Sequence, residues 1–165
     1  MLKYGAGKNI SVCNAKRFTF YILSVYDIKM ISKILVGIDG SEHAEKAFQY
    51  ACYLGEKCKA RLLIVYVIEE FATVGYSISN EVEQEKAEML QKYQIRAKNI
   101  LSTTVDAVKT KGNDAVEEIL YIVNKENVDT IVVGNRGFSA SKDFLLGGVS
   151  YKVMHYAKCP VVIVR

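Results

Sequence analysis

Four of the eleven glycines fall in one stretch near the carboxyl end, and their spacing suggests a binding chemistry. The run reads Gly134-Asn135-Arg136-Gly137, nine further residues, then Gly147-Gly148-Val149-Ser150. Glycine at 134 and 137 lets the chain turn sharply and brings bare amides close to a ligand. Gly147 and Gly148 open a helical pattern whose first amides lack internal partners and carry partial positive charge. That combination suits a phosphate, through hydrogen bonds and through the helix dipole. Arg136 and Lys142 either add charge there or are solvated loop residues. One glycine pair alone would be an ordinary turn device. Neither G-x-G-x-x-G nor G-x-x-x-x-G-K-[ST] occurs, so the dinucleotide fingerprint and the P-loop are both excluded.

A second cluster, Asp39-Gly40-Ser41, follows the apolar run KILVGI. Read locally, Asp39 is a turn or cap residue at the end of the first strand. No metal site built from protein ligands alone is expected. Groups for catalysis are scarce. His43 and His155 are the only histidines, and neither stands beside a serine or cysteine in a nucleophile motif. No residue stands out to position a water at a γ-phosphate. No catalytic residue is therefore assigned, and fast catalysis is not expected.

The elements that must position these loops follow from apolar periodicity. Runs at 33–38, 61–68, 129–133 and 160–164 suit buried strands, the second being almost continuously apolar, and 103–110 alternates as an edge strand would. Helices are expected over 42–57, 81–102, 115–127 and 147–158. The first should bury Ala44, Ala47, Phe48, Ala51, Cys52 and Leu54. The second should turn Met89, Leu90, Tyr93, Ala97, Ile100 and Leu101 inward. Residues 69–80 and 134–148 read as loops. Strictly alternating strands and helices predict an α/β fold: a doubly wound, five-stranded parallel sheet with helices on both faces, Rossmann-like. In such sheets ligands settle at the carboxyl ends of the strands beside the topological switch point. Asp39 and the glycine loop should meet there.

From about Met30 to Arg165 the chain resembles the universal stress proteins. The resemblance rests on KILVGIDGS, LLIVYVI, VDTIVVGNRG, CPVVIVR and the G-x₂-G-x₉-G spacing of Gly134, Gly137 and Gly147. It implies an ATP site, or one for AMP or ADP, at the ends of the first, second and fourth strands of that domain. Asp39 matches the acidic position near the adenine and ribose, with Gly37 and Ile38 before it in the expected site; there it either bonds the ribose or backbone or holds a Mg²⁺ or Mn²⁺ shared with the nucleotide phosphates. Val67 matches the position whose backbone meets the adenine edge. Val133 and Gly134 border the sugar and phosphates, while Gly137, Gly147, Val149 and Ser150 match the phosphate cradle; Arg136 and Gly148 complete the expected site. The family pattern expects Ser or Thr where Gly148 stands, so one hydroxyl donor is missing and the Ser150 hydroxyl is the candidate replacement. The function implied is an ATP-binding stress-response sensor or switch whose 134–148 loop responds to the nucleotide. The alternatives are slow ATP hydrolysis or phosphoryl transfer, and a nucleotide-free interaction module. A homodimer through the apolar strand Val161–Val164 is also implied.

Charge and cysteine usage bound the rest. Residues 1–29 hold five basic residues against one acidic, which accounts for the net charge of +4 and leaves 17 of each sign beyond them. A neutral body lacks the electrostatic footprint of a nucleic-acid binder, so no nucleic-acid partner is expected. Cysteines at 13, 52, 58 and 159 form no C-x-x-C pair, a usage that suits a reducing cytoplasm. No apolar run reaches the roughly 18 residues of a membrane span. Met30 begins MISKILVGIDGS like a natural start. Residues 1–29 are therefore expected to be an extension, either non-native or poorly ordered, with an extra strand or helix as the alternative.

Overall fold

The apolar runs become strands wherever both of their faces can be covered. The computed structural model describes residues 11–15, 18–22, 31–69, 80–137 and 146–165, in two compact units, 1–30 and 31–165. In the first unit β1 (Ser11–Ala15) pairs with β2 (Phe18–Ile22) as an antiparallel ribbon.

The second unit holds β3 (Lys33–Gly37), β4 (Arg61–Glu69), β5 (Val105–Gly112), β6 (Thr130–Gly134) and β7 (Val161–Val164). They form one five-stranded parallel sheet in the order β5-β4-β3-β6-β7. The chain therefore builds outward from β3 in one direction, then returns to the other side of β3 to add β6 and β7. Between these strands run α1 (Glu42–Cys58), α2 (Asn80–Ile100), α3 (Ala115–Lys125) and α4 (Gly148–Tyr156). α1 and α2 close a core with Ile34, Val36, Phe48, Leu62, Ile64 and Ala97 on one face. α3 and α4 close a second core with Leu35, Val65, Ile119, Ile131, Val133 and Val153 on the other. The crossovers thus run over one face as the chain builds from β3 to β5 and over the other as it adds β6 and β7, and the strand order reverses between β3 and β6. A doubly wound sheet places its ligand crevice there.

Central strands and edges differ as solvent requires. Every residue of β6 is buried, whereas β5 alternates and carries Lys109 and Lys111 on its exposed positions. Charge on an edge strand discourages pairing with other chains. The helices start where short polar side chains satisfy first-turn amides. The Ser41 hydroxyl accepts from the Ala44 amide at 3.1 Å, and the Asp114 carboxylate accepts from the Val116 amide at 2.6 Å. At the amino ends of the two central strands the Asp129 carboxylate accepts from the amides of Ser32 (3.0 Å) and Lys33 (2.9 Å). That clamp ties β3 to β6 at the end remote from the point where they diverge.

Two expectations need correction. Ile100 is 52 % exposed, because it lies at the border of the stripe made by Leu90, Tyr93, Ala97 and Leu101, in the last turn of α2. The edge strand runs from Val105 to Gly112 rather than from 103 to 110. β4 extends to Glu69 and supplies partners as far as Glu69↔Gly112, so Gly112, read as the start of a turn, is still in the ladder.

Candidate functional site

β3 and β6 pair only as far as Val36↔Val132, and beyond that their chains part. The chain after β3 makes a last bond, Ile38 amide to Val65 carbonyl at 2.9 Å, and then leaves the sheet through Asp39 and Gly40. Gly40 has φ +87°, a left-handed conformation in which a side chain would be strained. The Asp39 carboxylate accepts from the Ser41 amide at 2.9 Å, which holds it at the mouth of the turn.

β4 continues past this point, and its peptide groups alternate between its two neighbours. Arg61 and Val65 bond toward β3, as their contacts with Ser32 and Ile38 show, while Leu62 bonds toward β5 through Thr104. By that alternation the amide and carbonyl of Val67 point toward the β3 side, two residues beyond the last β3–β4 bond. They therefore face the space that β3 has vacated.

The end of β6 is built by close approach. A Cβ on Gly134 would stand 2.7 Å from the carbonyl carbon and 2.8 Å from the carbonyl oxygen of His43, so the first turn of α1 presses directly on that backbone. A Cβ on Gly137 would stand 2.7 Å from Asp39 Oδ2, which places the glycine loop against the β3 turn. The two ends of the loop are tied together. The Gly147 amide donates to the Asn135 carbonyl at 2.7 Å, and the Asn135 amide to the Val164 carbonyl at 2.7 Å. Arg136, Gly137 and Gly147 consequently lie in one tight backbone cluster, with the Gly147 Cβ position 3.3 Å from Arg136 Cα.

α4 begins at this cluster with no side-chain cap, since its N-cap is Gly147, and with no acidic residue in its first turn. Its partial positive charge is therefore left for a ligand. The Ser150 hydroxyl donates to the Gly134 carbonyl at 2.6 Å and is buried. Its proton locks α4 onto β6, so it does not replace the hydroxyl missing at position 148.

These pieces surround a cleft of about 810 Å³, a size usual for small-molecule sites. All twelve residues singled out from the sequence line it: Gly37, Ile38 and Asp39 from β3 and its turn, Val67 from β4, and Val133, Gly134, Arg136 and Gly137 from β6 and its loop, with Gly147, Gly148, Val149 and Ser150 at the start of α4. Lys142 lies outside the described residues, as does the rest of 138–145. Sequence reasoning missed other residues of the rim, among them Tyr66 and Glu69 on β4, Lys86 on α2, Asp114 before α3, and Lys152 on α4. Only the position of Lys152, one turn after Gly148, offered a signal.

Asp114 is held below the usual carboxylate range, chiefly by the Val116 amide and to a smaller degree by Lys152. The Tyr66 phenol on the cleft wall is pushed up, first by burial and then by the charges of Asp39 and Glu85. Neither histidine lines the cleft; His43 packs against Gly134 from α1, and His155 stacks on Tyr151. Among the described residues no cluster of His, Cys, Asp and Glu could hold a metal unaided. No described helix is long and apolar enough to cross a membrane.

The same architecture recurs in known proteins. The chain is 34 % identical over 152 residues to universal stress protein YxiE of Bacillus subtilis, covering 82 % of this chain and all of the relative. The solved structure of hypothetical protein MJ0577 superposes with a TM-score of 0.73 at 26 % identity, covering 82 % of this chain and 96 % of that one. A universal stress protein in complex with cAMP superposes at 0.66 with 23 % identity, covering 82 % and 98 %. One from Archaeoglobus fulgidus in complex with dAMP superposes at 0.64 with 17 % identity, covering 82 % and 99 %. The pattern of the universal stress protein family matches residues 30–165, a span that includes every residue of the cleft. By sequence and by architecture, the chain belongs to the universal stress protein family.

Proposed function

We propose that the cleft binds an adenine nucleotide, with ATP as the physiological ligand, and that the protein acts as a nucleotide-dependent stress-response sensor or switch in the cytoplasm. The observation that carries this reading is the polarity of the cleft from end to end. At one end the peptide edge of Val67 offers an N–H and a C=O side by side. Adenine presents a complementary ring nitrogen acceptor and amino donor, whereas guanine reverses that order. At the other end Gly137, Gly147 and the uncapped first turn of α4 offer bare amides to phosphates. Asp39 lies between them, beside Gly137. Its negative charge suits ribose hydroxyls, or a Mg²⁺ or Mn²⁺ shared with the phosphates, and not a phosphate directly. The adenine monophosphates bound by two structural neighbours, cAMP and dAMP, are consistent with this class of ligand.

Heat denaturation of freshly purified protein, with chromatography of what it releases, tests the reading. ATP or AMP near one equivalent per chain is the expected result. No released nucleotide, together with no calorimetric heat from Mg-ATP at millimolar concentration, would remove it in favour of a nucleotide-free interaction module. We further propose a homodimer through Val161–Val164. β7 ends the sheet on the β6 side and all four of its residues are only half-buried, which leaves an apolar edge for a second copy. A monomer by light scattering at micromolar concentration would overturn that arrangement.

A further inference from the structure

Among the described residues the charged side chains that line the cleft balance: Asp39, Glu69 and Asp114 against Lys86, Arg136 and Lys152. A nucleotide with several phosphates needs positive charge that is not already committed to a carboxylate. Of these cations Lys152 is placed to move. It lies four residues after Gly148, hence one turn on and on the same face of α4. Helical side chains lean toward the amino end, so an extended Lys152 reaches back along that face toward the first-turn amides. Position 148 leaves the path clear: nothing lies within 4 Å of where a Cβ would be.

Lys152 Nζ is 3.4 Å from Asp114 Oδ2, and both side chains are substantially exposed. A pair of that kind is weak. Asp114 does not depend on it either, because its other oxygen accepts from the Val116 amide at 2.6 Å and caps α3. The lysine can therefore leave without stranding a buried charge. A terminal phosphate, with more charge than a carboxylate, is the stronger partner.

We propose that Lys152 reads the number of phosphates on the bound nucleotide. It leaves Asp114 for the outer phosphates of a di- or triphosphate and stays on Asp114 when the ligand is a monophosphate. Asp114 thereby sets how strongly the site prefers ATP over AMP. This rests on the adenine-nucleotide reading of the cleft.

The test is calorimetric titration of ATP and AMP, at one fixed Mg²⁺ concentration, into the full chain and two variants. Lys152→Gln is expected to narrow the ATP-to-AMP affinity ratio by about three- to tenfold, with AMP itself moving by less than about twofold. Asp114→Asn keeps the cap of α3, because asparagine caps as well as aspartate, and frees the lysine, so it is expected to widen the ratio. Retained AMP binding shows that each variant is folded. A ratio unchanged in either variant, or ATP and AMP weakened alike by Lys152→Gln, overturns the proposal while leaving the nucleotide site intact. A wild-type chain that binds neither nucleotide overturns both.

Discussion

Replacing Gly148 by serine restores the hydroxyl that the family pattern carries, and the site predicts what that adds. No atom lies within 4 Å of the new Cβ, and Gly148 does not have a positive φ, so the side chain enters without steric or backbone cost. The new hydroxyl stands in the uncapped first turn of α4 beside Gly147. A hydrogen bond there contributes about 0.5–1.5 kcal/mol net, and up to about 3 kcal/mol to a charged phosphate. The affinity gain is therefore about two- to tenfold, rising to about a hundredfold if the phosphate charge is fully felt. Serine also holds helical backbone better than glycine, by up to about 0.5 kcal/mol. That second effect acts on the free protein and cancels from the binding constant.

Two measurements separate the contributions. Thermal unfolding without ligand should rise by no more than about 1–2 °C, as half a kcal/mol does in a domain of this size. Calorimetric titration of Mg-ATP should show the tighter binding. A variant that gains the small stability increment yet binds ATP no more tightly would refute the argument, because it would show that position 148 does not face the phosphates.

Two further outcomes follow from contacts around the site. Gly134→Ala puts a Cβ 2.7–2.9 Å from His43 backbone and side-chain atoms, which cannot withdraw without moving α1. Overpacking of that kind costs about 1–3 kcal/mol or more, to be read as a lower midpoint in chemical denaturation, and an unchanged midpoint would show that α1 yields easily. Glu45 is held down to about 2, first by the hydrogen bond from Arg96, whose guanidinium also lies over the rings of Phe48 and Tyr93. Because the folded value lies below the ordinary 4.5, the stabilisation is present above that value and is lost as pH falls toward 2. Discounted for the exposure of both partners, the loss is about 1–2 kcal/mol; Arg96→Met should flatten this part of the stability–pH curve, and an equal slope in the variant would assign acid sensitivity elsewhere.

Apolar runs bounded by turn residues made the strands legible, and the period of α1 identified its buried face down to Cys52. The errors lie where neighbours decide. Lys111 and Gly112 look like the approach to a turn when read locally, yet the long β4 keeps them in register. Ile100 has the character of a core residue but falls at the border of its helix stripe, in the last turn. Asp129 looked like the polar start of a strand, and only the fold shows it collecting the amides of Ser32 and Lys33 from 96 and 97 residues away.

The cleft divides along the same line. Its glycines were legible because backbone approach excludes a Cβ, and that exclusion marks the sequence itself. Gly134 meets α1, Gly137 meets Asp39, and Gly147 meets the backbone of Arg136. The charged rim was illegible because a lysine or an aspartate can do its work from many positions. What placed Lys152 was geometry: one helical turn after a glycine that has no side chain in the way, and opposite an aspartate already committed to capping α3. The same glycine that removes a hydroxyl from the cradle also opens the face along which that lysine reaches. Position 148 and position 152 are therefore one feature of the site, and the loss read from the sequence at the first has to be weighed together with the cation at the second.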